Sequence, residues 1–233
     1  MIRSLLRPLK LSLKKIFIGY LYPENNLKIV IAGTGRCAST LFTRYVAQSY
    51  LLSTHKYLFY CFGCFTSRLL VEYVEDLSLI DSVISPIVKT HDLYNSRFYS
   101  NNIKYIFIYG DPLLSAISVA KQRESRGDGW VNLHIRHLRG KGTANEIFCN
   151  DVLNFEGQLR SWHLSPALKI QYPDYWMEQS RISEFLGFKF SLPRYSNRLD
   201  NLKNNTIPPG YRFREELYDR LRKLPKKIMS GCE

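Results

Sequence analysis

The sequence predicts an α/β domain with a mainly parallel central sheet flanked by helices. Three observations predict it. Short apolar runs at residues 29–32, 87–88, 104–109 and 167–172 alternate with stretches whose apolar residues recur at helical spacing. A run of small residues, 33–40, joins the first apolar run to the first helical one. A chain of 233 residues without internal repeats suits one domain with a sizeable core. The expected organisation is a basic amphipathic segment over residues 1–26 and a single α/β domain over 27–233.

Composition narrows the classes. The net charge of +13 suits an anionic ligand, an acidic substrate, nucleic acid or an anionic membrane, and does not choose among them. No apolar run reaches the ~20 residues of a membrane span. Five cysteines, odd in number and irregularly spaced, argue against a secreted disulfide scaffold. Cys61-Phe62-Gly63-Cys64 lacks the second pair a zinc site needs, so two half-buried thiols are expected there.

The first 23 residues carry Arg3, Arg7, Lys10, Lys14 and Lys15 and no acid. Ile2, Leu5, Leu6, Leu9, Leu13, Ile16, Phe17 and Tyr20 fall on one helical face. Two readings stand. The helix packs on the domain's own core, or residues 1–20 lie on an anionic membrane surface. No signal-peptide cleavage pattern follows, so the expected location is cytoplasmic, membrane-peripheral in the second case.

The first strand ends in Gly33-Thr34-Gly35-Arg36-Cys37-Ala38-Ser39-Thr40, and a helix is expected over residues 41–52. A strand, a small-residue turn and a helix N-terminus make an anion site, because the first N–H groups of a helix lack internal partners. Arg36 adds a cation, and Ser39 and Thr40 add hydroxyls. This is not a Walker A loop, which needs Gly-Lys before the Ser/Thr. Residues 53–66 are aromatic-rich, and core is the expectation for them over an acceptor pocket. A helix is expected over 67–77.

A short strand at Ile87-Val88 places Lys89, Thr90 and His91 at its carboxyl end, where open α/β sheets bind ligands. Histidine is the side chain best suited to take a proton near neutrality. The strand 104–109 then turns at Gly110-Asp111-Pro112 into a helix over 113–122. Residues 125–148 read as a polar, glycine-rich loop. A helix over 151–164, capped by Asn150 or Asp151, precedes a strand over 167–172. A helix from Pro173-Asp174 stops at Gly187. Residues 193–199 are basic, 204–210 form a loop, and a closing helix is expected over 213–224.

Four of these pieces, in this order, resemble the sulfotransferase family: the Arg36 loop, Lys89-Thr90-His91, Asp111-Pro112 with Ser118, and the Phe185-Leu186-Gly187 helix end. The resemblance spans residues 28–188 and implies a P-loop NTPase-like sulfotransferase fold. It implies transfer of a sulfuryl group from 3′-phosphoadenosine 5′-phosphosulfate (PAPS) to a hydroxyl of a glycan, lipid or small molecule. By resemblance, residues 33–40 and Ser118 hold the donor and His91 is the base. Lys89 and Arg36 steady charge, and no metal is required. Arg198 in the basic segment is a further candidate for the donor. Nucleic acid is not an expected partner. One departure is plain: the family's Arg before Asp-Pro is Gly110 here. Arg97, Lys121, Arg123 and Arg126 are candidate replacements. Two rivals remain: a degenerate binding protein of the same fold, favoured by Gly110, and a nucleotide-dependent kinase or NTPase.

Overall fold

The computed structural model describes residues 12, 14–21, 27–194 and 206–229. Arg198, most of the basic segment and residues 1–11 lie outside them. Five strands form one sheet: β1 (Lys28–Gly33), β2 (Val71–Val74), β3 (Ile87–Thr90), β4 (Ile103–Tyr109) and β5 (Leu168–Gln171). Their order is β2-β3-β1-β4-β5, and every pairing is parallel. Strand β1 is central, with Ile29 opposite Ile87 on one side and Lys104 on the other.

The alternation of a strand decides which face each residue serves. Val30, Ala32, Val88, Tyr105 and Phe107 join one core, built with Ala116, Val119, Leu159, Trp162 and Leu221. Ile29, Ile31, Ile106, Ile108 and Ile170 join the other, built with Phe42, Val46, Ile182 and Leu186. Both faces of the sheet are therefore covered, which is why β1 and β4 read as unbroken apolar runs.

The first face carries α3 (Pro112–His137), α4 (Phe155–His163) and α6 (Glu215–Met229). The second carries α1 (Ser39–Thr54) and α5 (Gln179–Leu186). Between α1 and β2 runs α2 (Lys56–Leu69). Asp111 caps α3 by accepting from the Leu114 N–H at 2.8 Å. Helix α4 starts later than expected, with Asn154 at the N-cap position, and Asp151 accepts from the N–H groups of Phe155 and Glu156 from the preceding turn. Gly187 ends α5 in the left-handed region at φ 81°. Residues 14–21 are helical, and Ile18 and Leu21 are buried against the domain while Ile16 and Tyr20 are exposed. No described helix is long and apolar enough to cross a membrane.

Several expectations are corrected. Residues 71–74 are an edge strand rather than part of a helix over 67–77: Val71 and Val74 pair in register with Ile87 and Thr90. Residues 56–69 form helix α2, on which Phe59 packs against the core as expected while Tyr57, Tyr60 and Cys61 are exposed. The stretch 125–137 is not loop. It continues α3, which breaks at Gly127 (φ 74°, ψ 173°), a backbone state open to glycine. Arg123 and Asp128 pair across the break, and Val131, Ile135 and Leu138 pack the second arm into the core. The helix expected from Pro173 is a short 3-10 turn, Asp174–Trp176, followed by α5. The closing helix runs on through Pro225 to Met229.

Candidate active site

The site lies at the carboxyl ends of β1 and β3. The chain passes from β1 to β2 and β3 on one side and then crosses to β4 and β5 on the other, and such a switch point opens a crevice there. The turn after β1 is tight. A Cβ on Gly33 would stand 2.9 Å from the Ile108 carbonyl oxygen and 2.9 Å from Cys37 Sγ. Arg36 and Ala38 adopt left-handed backbone, at φ 62° and 56°. Helix α1 starts at Ser39 with no side-chain cap and no acidic residue in its first turn. Its first N–H groups are thus left for an anion.

Within the turn, side chains divide by direction. Cys37 is buried, and its thiol donates to the carbonyls of Thr34 (2.8 Å) and Ile108 (3.2 Å); burial pushes its pKa up. Thr34 is buried and its hydroxyl accepts from the Gly110 N–H at 3.3 Å. Ser39 is buried, while Arg36 and Thr40 are exposed. The Arg36 Nε donates to Ser118 Oγ at 2.9 Å, which joins two residues 82 positions apart. Arg36 has no carboxylate partner among the described residues; burial and the like charge of Arg126 lower its pKa.

His91 follows β3 directly. Its Nδ1 stands 2.6 Å from the Gly33 carbonyl oxygen, which can only accept, so Nδ1 carries the proton. Its Nε2 is then the free acceptor, and Lys89 Nζ donates to it at 3.0 Å. Burial, with the Lys89 charge, pushes the His91 pKa down to about 3. Burial also lowers Lys89 to about 8. The His91 backbone is held from the far side: Gln158 Nε2 donates to its carbonyl at 2.6 Å, and Trp162 Nε1 donates to the Asp92 carbonyl at 3.0 Å. Arg139 donates to the Asp92 carboxylate at 2.9 Å.

The structure adds residues that sequence reasoning passed over. The second arm of α3 brings His134 beside Gly35, where a Cβ would sit 2.9 Å from His134 Nε2. That Nε2 is buried and has no hydrogen-bond partner. The ring stacks on Trp130 at 5.1 Å and 9° and lies 6.0 Å from His91. Burial, then Arg36 and Lys89, lower its pKa to about 4. Tyr73 of β2 meets the Lys89 ammonium with its ring face at 5.1 Å. From α6, Arg222 reaches the Asp111 carboxylate at 2.7 Å. The spacing of Trp130 and His134, one turn apart, was the available signal for the first pair; nothing in the sequence links Arg222 to Asp111.

Predicted residues 33–40, Lys89, His91 and Ser118 therefore gather at one edge of the sheet, and Arg198 falls outside the described residues. Of the replacement cations, Arg123 is held by Asp128 and Tyr211, while Arg126 lies over Trp130 at 5.4 Å. Gly110 sits close to the turn: a Cβ there would be 3.3 Å from Cys37 Cβ. A cavity of about 760 Å³ lies at residues 145–150 and 212–216 and shares no residue with the site. A smaller one, about 290 Å³, reaches Thr40 and Lys89. Among the described residues no group of three or more His, Cys, Asp or Glu could hold a metal ion.

No family model matches the chain, and no curated protein matches it. Among solved structures it is similar to crystal structures of retinol dehydratase. One, in a complex with retinol and PAP, aligns at a TM-score of 0.39 and 17% identity over 88% of this chain and 82% of that one. Another, with androsterone and inactive cofactor PAP, aligns at 0.36 and 17% identity over 90% and 81%. The fold is α/β: an all-parallel five-stranded sheet, flanked by helices, with a small-residue turn between β1 and α1.

Proposed function

We propose that the protein is a sulfotransferase that uses PAPS as donor and a hydroxyl compound as acceptor. The observation that carries this reading is the chain Gly33 carbonyl–His91–Lys89 set beside the open N-terminus of α1. A hydroxyl base and a cation stand together next to an anion cradle, with no acid among them.

The residues fit the donor. The unpartnered His134 Nε2 and the first turn of α1, which no side chain caps, leave polar groups facing the same turn. Gly33 and Gly35 are needed for the tight turn itself, since a Cβ at either would meet packed atoms of residues 37, 108, 134 or 138 within 3 Å. When bound, the donor supplies the sulfuryl group and departs as adenosine 3′,5′-bisphosphate.

This chain's residues would divide the work as follows. Backbone N–H groups of residues 38–40 hold the 5′-phosphate end, and Arg36, fixed by Ser118, neutralises charge there. Gly33 locks His91 in the tautomer whose Nε2 accepts the acceptor hydroxyl's proton. A low pKa makes that nitrogen a weak base in the empty site, and negative charge placed beside it raises its basicity. Lys89, which donates to the same nitrogen, turns to the anion and frees Nε2 for the hydroxyl. Arg222 supplies the 3′-phosphate cation that Gly110 cannot. Its pair with Asp111 is half-exposed, and such pairs exchange at little cost.

Thermal unfolding with adenosine 3′,5′-bisphosphate, AMP and ATP–Mg tests the reading. Stabilisation by the bisphosphate, near ~2.7 kcal/mol at about 100 times its dissociation constant, is the expected outcome. Stabilisation by ATP–Mg alone would replace it with a kinase or NTPase. The degenerate binding protein is favoured by Gly110, and no stabilisation by any nucleotide would select it.

A further inference from the structure

The cavity of about 290 Å³ that opens on Lys89 has a composition of its own. It is built from the outer side of α1, the end of α2 and the strands β2 and β3. Ser118 and Arg36 meet on the α3 side of the turn, which follows β4. The cavity therefore lies across the turn from Ser118; it adjoins the donor cradle at Thr40 and opens on Lys89, where an acceptor would enter. Val71 and Tyr73 give it an apolar wall, and Thr40 adds a hydroxyl.

Its charge is one-sided. Arg44 and Arg68 line it beside Lys89, and no acidic residue does. Both arginines are exposed and neither has a carboxylate partner among the described residues. Several arginines elsewhere are neutralised: Arg139 by Asp92, Arg160 and Arg220 by Glu156, Arg181 by Glu178. Two guanidiniums without a carboxylate partner among the described residues, at an apolar cavity of ring-compound size, suit a ligand that carries a carboxylate on an apolar body.

We propose that this cavity takes an acceptor that is itself an anion. Its apolar body lies against Val71 and Tyr73, its anionic group pairs with Arg44 and Arg68, and its hydroxyl meets Lys89 and His91. The inference rests on the sulfotransferase reading, since it assigns the acceptor side of that site.

Calorimetric titration of the full chain with 6-hydroxy-2-naphthoate and with 2-naphthol, with saturating adenosine 3′,5′-bisphosphate and without it, decides the matter. The two probes differ only in the carboxylate. Charge-assisted pairing predicts that the naphthoate binds roughly ten- to hundredfold more tightly. Arg44→Gln with Arg68→Gln should abolish that preference, and the double Lys variant, which keeps both charges, should retain most of it. Equal affinity for the two probes overturns the proposal. So does a preference that survives in the double Gln variant, or binding of neither probe while the bisphosphate still binds. Loss of bisphosphate binding with the naphthoate preference intact would instead overturn the donor assignment and leave the anion pocket standing.

Discussion

At the scale of single residues, His91 and Lys89 set the behaviour of the site. Each ring nitrogen of His91 has one partner, and the two partners make opposite demands. A base acting through Nε2 contributes roughly 10²–10⁴-fold to such a transfer. His91→Ala should therefore lower turnover by that order while leaving bisphosphate affinity nearly unchanged; single-turnover rates beside a binding titration check both halves. Lys89 is protonated below about pH 8 in the empty site. Above that pH it loses its charge, so bisphosphate affinity should fall between pH 8 and 9.5, and titrations across that range measure it. Arg222→Ala should weaken the bisphosphate roughly tenfold or more, the worth of a charge-assisted bond, and leave AMP unaffected. Equal losses for both nucleotides would mean that Arg222 only braces Asp111.

At the scale of elements, the break in α3 matters most. Gly127 holds a backbone state costing roughly 1–3 kcal/mol for a residue with a Cβ. Gly127→Ala should lower stability by that order, or straighten the helix and draw His134 off Gly35. Denaturant unfolding and the His134 NMR signals separate the two outcomes. This element also shows where sequence reading ends. Gly127 and Gly129 act as punctuation in the sequence, yet Val131, Ile135 and Leu138 carry helical spacing beyond them. Strands β1 and β4 were legible because both their faces are buried, so almost every residue is apolar. Strand β2 was not: Val-Glu-Tyr-Val at an exposed edge has little pattern, and its pairing with β3 is a long-range fact. The loop, Lys89, His91 and Ser118 were legible as local motifs. Their mutual contacts, and those of Tyr73, His134 and Arg222, depend on packing between elements distant in sequence.

At the scale of the molecule, two buried histidines link folding to acidity. His91 and His134 have folded pKa values of about 3 and about 4, below the ordinary 6.5. The unfolded chain thus takes up protons first, and stability must fall as pH drops from about 6.5 toward 4. Denaturant unfolding at pH 7.5 and 5.5 should show the loss, and a His134→Phe variant should lose less. The net charge of +13 acts over longer distances and attracts anions to the molecule as a whole. Screening by salt weakens that attraction, with a Debye length of about 8 Å at physiological ionic strength.

The parallel stack of Trp130 on His134 has an optical consequence. An imidazolium quenches a neighbouring indole more strongly than a neutral imidazole does. Emission from Trp130 thus follows the charge on the ring that lies against Gly35, at 5.1 Å and 9°. Trp162, sealed in the core, and Trp176, stacked on Tyr175, lie away from that ring and give the background. The chain thus contains its own reporter: protonation of His134, as pH falls toward 4, should dim one tryptophan without a label attached.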